Sequence, residues 1–312
     1  MATQTKETIG FIGLGLMGHG MAKNIVEKGY GLTISGHRNR KPIEDLVERG
    51  AVEVATPRDV AERSSIVFLC VTGSPQVESI VRGENGLKEG LKPGSVVVDC
   101  STADPNSTIA LAGELAKTGV DFVDAPLSRT PKEAWEGELD TMVGGSEDVI
   151  ARISPVIETW ARKIVRIGDT GDGHRMKLLN NFLALGYAAL YSEALVLAGK
   201  VGISPGRFDS VIRGSRMDCG FYQTFMGYML DGNPESHKFT LVNALKDMSY
   251  LESMADAAGL VNQIGNAAKN SFAMAVAAGA LGPEDYVPLL PRFIGKANGI
   301  DMKPEKNGAG SV

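Results

Sequence analysis

Thr8-Ile9-Gly10-Phe11-Ile12-Gly13-Leu14-Gly15-Leu16-Met17-Gly18 is the stretch from which the N-terminal half can be read. Its start is β-branched and aromatic, as a strand requires, and the segment beyond Gly18 runs as a helix to a stop at Gly29. Between strand and helix lie three glycines with separate tasks. The first makes the tight turn, the second lets a pyrophosphate approach the backbone, and the third lets the helix pack closely on the strand. The helix N-terminus then offers N–H groups and a favourable dipole to phosphates. In this setting Gly13, Leu14, Gly15, Leu16, Met17 and Gly18 are candidate cofactor-binding residues.

Outward from this unit, short β-branched runs alternate with helical patterns as far as Ile167. Strands are predicted at Thr8 to Ile12, Leu32 to Ser35, Ile66 to Val71, Ser95 to Asp99, Phe122 to Ala125, Thr141 to Val143 and Ile164 to Arg166. Gly29, Gly50 and Gly119 read as helix stops, and Thr56-Pro57 and Asp104-Pro105 as helix starts. The alternation predicts an α/β fold: an N-terminal Rossmann-type doubly wound parallel sheet. After Gly173 strand signals vanish, and Ala-, Leu- and Met-rich segments continue between breaks at Ser204-Pro205, Gly232-Asn233-Pro234 and Gly282-Pro283. The expected organisation is a dinucleotide-binding domain over 1–172, an all-α substrate and oligomerisation domain over 173–302, and a mobile tail over 303–312. A long helix from about Arg175 to Gly199 joins the halves.

Composition restricts function. A net charge of −5 gives no general attraction to nucleic acid or to an anionic membrane. Cys70, Cys100 and Cys219 have no metal-type spacing and read as buried thiols in a reducing compartment. Met1 to Glu7 is polar and lacks the apolar stretch of a signal peptide, so a cytoplasmic protein is expected. The apolar run from Leu178 to Ala198 is interrupted by Asn180, Asn181 and Glu193, which favours a buried helix over a membrane span. The Ala-rich helices after Arg175 carry more apolar surface than one small domain covers, which predicts a homodimer or homotetramer packed through them.

At the end of the second strand, where an acidic residue would bind the ribose hydroxyls of NAD, the sequence reads Ser35-Gly36-His37-Arg38-Asn39-Arg40-Lys41. His37, Arg38 and Arg40 can meet a 2′-phosphate, and arginine does so with a two-pronged fork. NADP is therefore favoured over NAD. Hydride transfer to a carbonyl needs a proton donor at the oxygen. The four histidines and three cysteines form no ligand-spaced cluster, so a metal-free mechanism is expected. Lys177 and Asn181 stand at i and i+4 on the linking helix and share a face, with Asn180 at i+3. The expected place for such a pair is a cleft between the domains. His174, three residues before Lys177, can tune that lysine or cap the linking helix, and the cap is the preferred reading.

The glycine turn, Asp99-Cys100-Ser101-Thr102, Asp124-Ala125-Pro126, Gly137, Val143-Gly144-Gly145, Lys177-Leu178-Leu179-Asn180-Asn181 and Lys246-Asp247 occur in one order over Ile9 to about Lys296. In that order and spacing the chain resembles the β-hydroxyacid dehydrogenases, which include 3-hydroxyisobutyrate dehydrogenase, tartronate semialdehyde reductase and sulfolactaldehyde reductase. The resemblance implies an oxidoreductase that interconverts a small anionic 3-hydroxy acid and its semialdehyde or ketone. It assigns Lys177 as general acid/base, Asn181 to substrate orientation, Ser101 and Thr102 to the nicotinamide, and Lys246 to closure over the site. With Val71 and Thr72, Thr102 and Lys246 complete the expected cofactor-binding set. Asp247 reads as a cap or salt-bridge partner.

One departure bears on specificity. Where most relatives carry Ser-Gly-Gly after Asp124-Ala125-Pro126-Leu127, this chain has Ser128-Arg129-Thr130. In the family this loop binds the substrate carboxylate. An arginine there adds a cation and removes the freedom of glycine. A similar Arg-Thr pair in sulfolactaldehyde reductases implies a sulfonate substrate as an alternative, although those enzymes have a serine where Ala184 stands here. A non-catalytic dinucleotide-binding scaffold is the reading from a different class, since fold alone does not establish turnover.

Overall fold

The computed structural model describes residues 7–36 and 38–305 and divides into two compact units, which meet in the chain between Lys177 and Leu178. The first holds one nine-stranded sheet: β1 (Thr8–Ile12), β2 (Gly31–Ser35), β3 (Val52–Val54), β4 (Ile66–Leu69), β5 (Val96–Asp99), β6 (Asp121–Asp124), β7 (Leu127–Ser128), β8 (Leu139–Gly144) and β9 (Ala161–Gly168). The order is β3-β2-β1-β4-β5-β6-β8-β7, with β9 on β8. Strands β1 to β6 pair in parallel. The chain departs from β1 towards β2 and β3 on one side and towards β4, β5 and β6 on the other. The crevice beyond the carboxyl ends of β1 and β4 is therefore the switch point where such sheets bind ligands.

The helices between them are α1 (Gly18–Glu27), α2 (Lys41–Glu48), α3 (Pro57–Arg63), α4 (Ser74–Arg82), α5 (Leu87–Gly90), α6 (Pro105–Ala116), α7 (Pro131–Glu136) and α8 (Glu147–Ile157). Alternation along the strands fills two cores. Ile9, Phe11, Ile66, Phe68, Val96 and Val98 face one of them, and Ile12, Val67, Leu69 and Val97 face the other. Both faces are covered, as parallel strands require. Helix ends follow the local code: Thr56 forms a capping box with Asp59, Asp104 caps α6, and Gly29, Gly50 and Gly119 take positive φ at helix ends.

Two features differ from the sequence-based expectation. The sheet is mixed, because β8 runs antiparallel to β6 and to β7. Alternation along β8 marks which side chains are buried and carries no mark of chain direction, so the reversal could not be read from it. β3 and β7 were not predicted; the first has three residues centred on Glu53 and the second only two.

The second unit is helical. Its first helix, α9 (Asp172–Lys200), begins in the first unit and is followed by α10 (Pro205–Ile212), α11 (Gly220–Asp231), α12 (Leu241–Ala257), α13 (Gln263–Ala277) and α14 (Leu290–Ala297). By length and composition alone α9 could cross a membrane. Its Leu185, Ala188, Ala189, Leu195 and Val196 instead pack into a core with Tyr222, Phe225 and Met226 of α11. The expected tail is attached at its start: the Glu305 N–H donates to the Met229 carbonyl at 2.9 Å. Residues 306–312 lie outside the described residues. Cys219 is exposed rather than buried, and it caps α11 by accepting from the Tyr222 N–H. Cys100 is buried, and desolvation raises its thiol well above the ordinary range.

Candidate active site

The loop between β1 and α1 separates what the chain itself needs from what it leaves open. Gly13 has a φ of +101°, and a methyl group on it would lie 2.2 Å from the Cys70 carbonyl oxygen. A methyl on Gly18 would lie 2.0 Å from the Gly13 carbonyl oxygen. Both glycines are thus enforced by packing. Gly15 is different: its φ is not positive, it is exposed, and a methyl on it would meet nothing within 4 Å. The first turn of α1 contains no acidic residue. An open glycine before an uncharged helix start fits a dinucleotide pyrophosphate. Around it Leu14 and Met17 pack on the core, whereas Leu16 is 81% exposed.

Beyond β2, His37 lies outside the described residues. Arg38 is exposed, as expected of a phosphate-binding group. Arg40 has a partner that the sequence did not reveal: its fork holds both carboxylate oxygens of Glu53 on β3, at 2.6 and 2.9 Å. This pair raises the Arg40 guanidinium and lowers the Glu53 carboxyl. It is solvent-screened and therefore weak, so a phosphate can compete for Arg40.

At the carboxyl ends of β4, β5 and β6 lies a hydrogen-bonded group. The Val71 N–H donates to Ser101 Oγ at 3.0 Å, and the Ser101 N–H donates to Asp99 Oδ1 at 2.9 Å. Thr72 follows Val71 and Thr102 follows Ser101 on the two loops so joined. Asp124 is wholly buried and accepts the Gly171 and His174 N–H groups, both at 2.6 Å. Burial pushes its carboxyl above the ordinary range, against the opposing pull of His174 and these amides. The start of α9 fits closely here, since a methyl on Gly173 would lie 2.6 Å from the Met142 carbonyl oxygen. One turn further, Lys177 is partly buried.

In the loop after β7, Arg129 has a φ of +85°, a left-handed backbone that suits glycine. Its guanidinium donates to the Glu138 carbonyl at 3.0 Å. Thr130 caps α7 in a capping box with Glu133, so its hydroxyl has a local task. Ser128, partly buried, ends β7. The sequence put Arg129 and Thr130 in an anion clamp but did not show that both have partners within the loop.

In the helical unit Asn181 is buried, and its Nδ2 donates to Asp247 Oδ2 at 2.7 Å. Lys246 Nζ lies 3.2 Å from Asp247 Oδ1 and 5.4 Å from the Tyr250 ring centroid. Asp247 is the ion-pair partner that the sequence suggested, to Lys246, and it also orients the Asn181 amide. The adjacent Lys246-Asp247 pair was the only sequence signal for it.

Residues 8–168 match the family model for the NAD-binding domain of 6-phosphogluconate dehydrogenase, and 171–291 match that for the NAD-binding region of NADP-dependent 3-hydroxyisobutyrate dehydrogenase. The 2-hydroxy-3-oxopropionate reductase of Escherichia coli K12 is 38% identical over 66% of this chain and 70% of its own length. The chain belongs to the β-hydroxyacid dehydrogenase family. The 3-sulfolactaldehyde reductase of the same organism is 29% identical to this β-hydroxyacid dehydrogenase, over 90% of this chain and 94% of that one. The crystal structure of a 3-hydroxyisobutyrate dehydrogenase from Salmonella typhimurium aligns with a TM-score of 0.76 at 26% identity, covering 91% of this chain and 99% of the other. As a member of the family, this β-hydroxyacid dehydrogenase is an NAD(P)-dependent oxidoreductase.

Proposed function

We propose that this enzyme interconverts a small anionic 3-hydroxy acid and its semialdehyde, with Lys177 as the general acid/base and NADP as the preferred cofactor. The observation that carries the reading is the position of Lys177 on α9, one turn past a helix start secured by the Asp124 carboxylate. Gly13 to Gly18 would hold the pyrophosphate, Arg38 and Arg40 the 2′-phosphate, and Val71, Thr72 and Thr102 the nicotinamide end. A bound nicotinamide supplies or accepts the hydride. Lys177 gives a proton to the forming alkoxide in reduction and removes the hydroxyl proton in oxidation. Asn181, its amide set by Asp247, orients the substrate, and Lys246 adds a cation from α12. Ser128, Arg129 and Thr130 receive the acid group. Free thiols at all three cysteines agree with a cytoplasmic setting.

A second reading, a sulfonate in place of a carboxylate, is favoured by Arg129. A residue kept where glycine would relieve the backbone has a task to justify the strain. The test is NADPH oxidation with sulfolactaldehyde beside tartronate semialdehyde and other short carboxylate semialdehydes, repeated with NADH. We expect NADPH to be preferred and turnover with at least one of these aldehydes. Arg129→Gly should leave stability within about 1 kcal/mol of wild type, because relief of the backbone is offset by glycine's chain entropy and the lost bond to the Glu138 carbonyl, and should weaken the preferred anion at least tenfold in kcat/KM. Unchanged kcat/KM with every aldehyde would remove Arg129 from the clamp.

We also propose self-association through α9. Leu183, Leu190 and Leu197 are 59%, 58% and 65% exposed, and with Tyr187 and Val201 they recur at helical spacing along one face. A second copy of this chain would cover that stripe. Light scattering should give at least a dimer, and Leu190→Glu with Leu197→Glu should shift it towards monomer. A monomeric wild-type protein would contradict the proposal.

A further inference from the structure

The start of α9 contains a fully buried histidine that acid/base chemistry at Lys177 does not itself use. His174 has no exposure, and its ring is held at both nitrogens. Nε2 lies 3.0 Å from the Ser101 carbonyl oxygen, which can only accept, so Nε2 carries a proton. Nδ1 lies 2.8 Å from Thr108 Oγ1 on α6. Two wholly buried carboxylates flank the ring, with Asp99 Oδ2 at 3.9 Å and Asp124 Oδ2 at 3.8 Å. Asp124 also accepts the His174 backbone N–H. Side chain and main chain of one residue are thus tied to the ends of β5 and β6 and to α6. The expectation that His174 merely caps the helix is not met, because its ring bonds reach other elements.

Stability alone gives no reason for this arrangement. A buried, bonded polar cluster can often be replaced by packed apolar side chains without loss of stability. An apolar residue would fill the space but would not fix an angle, whereas two hydrogen bonds fix both the depth and the rotation of the turn. The turn so fixed carries Lys177 three residues on, and its anchor is the carbonyl of Ser101, whose hydroxyl accepts from the Val71 N–H.

We propose that His174 is a positioning residue: it sets the first turn of α9, and with it the Lys177 ammonium, against the Ser101-Thr102 and Val71-Thr72 loops. The proposal rests on the role assigned to Lys177. Hydride and proton must move within one geometry, so a displacement of about 1 Å can cost on the order of a hundredfold in rate. His174→Leu keeps the volume and removes both bonds, while His174→Gln retains an N–H for the Ser101 carbonyl.

In the full-length enzyme we expect His174→Leu to lower kcat roughly tenfold to a hundredfold per folded molecule, with substrate KM and the NADPH Kd within about threefold of wild type. His174→Gln should recover most of the loss. Hydrogen exchange without cofactor should show faster amide exchange over 172–178 in the leucine variant than in the glutamine variant. Unchanged kcat in His174→Leu beside a Lys177→Ala variant that has lost activity would overturn the positioning role and leave the lysine mechanism intact. If Lys177→Ala itself kept its activity, the lysine reading would fail, and equal exchange in the leucine variant and wild type would show separately that His174 does not hold the turn.

Discussion

Lys177→Ala should lower kcat by about 10²- to 10⁴-fold while leaving the NADPH Kd within a few-fold of wild type. That range is what a positioned proton donor contributes to transfer at a reacting oxygen. The cofactor loop lies elsewhere on the sheet, and its shape depends on Gly13 and Gly18 rather than on the lysine. Lys177→Arg should not restore the rate, because a guanidinium does not release its proton at working pH and its planar fork fits a different space. Steady-state NADPH oxidation alongside a fluorescence titration checks this. A variant that lost cofactor binding in parallel with turnover would point to a structural defect instead.

The second large effect separates three glycines that look alike in the sequence. Gly13→Ala and Gly18→Ala should each destabilise the protein by about 2–4 kcal/mol, since the new methyl would overlap a backbone oxygen and, at Gly13, also oppose the backbone angle. Gly15→Ala has open space and an ordinary φ, so stability should stay within about 0.5 kcal/mol of wild type. Its NADPH Kd should rise on the order of tenfold, because the methyl takes the space a pyrophosphate needs. Thermal melts with and without NADPH distinguish the cases. Equal stability loss at all three positions would contradict the loop geometry, and unchanged affinity in Gly15→Ala would move the phosphate elsewhere.

What the sequence made legible was local. The Gly13 to Gly18 turn, the caps at Thr56 and Asp104 and the positive-φ stops at Gly29, Gly50 and Gly119 each depend on a few neighbouring residues, and each is visible as a short pattern. What was missed was distant or too short to form a pattern. The bond from Asn181 to Asp247 spans 66 residues and that from His174 to Ser101 spans 73, so neither leaves a local trace. Glu53 reaches Arg40 because β3 pairs with β2, and that three-residue strand was itself below what alternation can reveal. The candidate site residues were read from their order along the chain. Their partners, which determine how an amide or an imidazole is held, emerge only from the fold.

The most direct test of the account is a single-turnover measurement, in which enzyme loaded with NADPH is mixed rapidly with a saturating short semialdehyde and the nicotinamide absorbance is followed for wild type and Lys177→Ala. Such a measurement separates the chemical step from binding and product release. We predict that wild type oxidises its bound NADPH in one fast phase and that the variant, equally loaded, does so at least a hundredfold more slowly. Equal rates of nicotinamide oxidation in the two proteins would contradict the assignment of Lys177 as the acid/base of this β-hydroxyacid dehydrogenase.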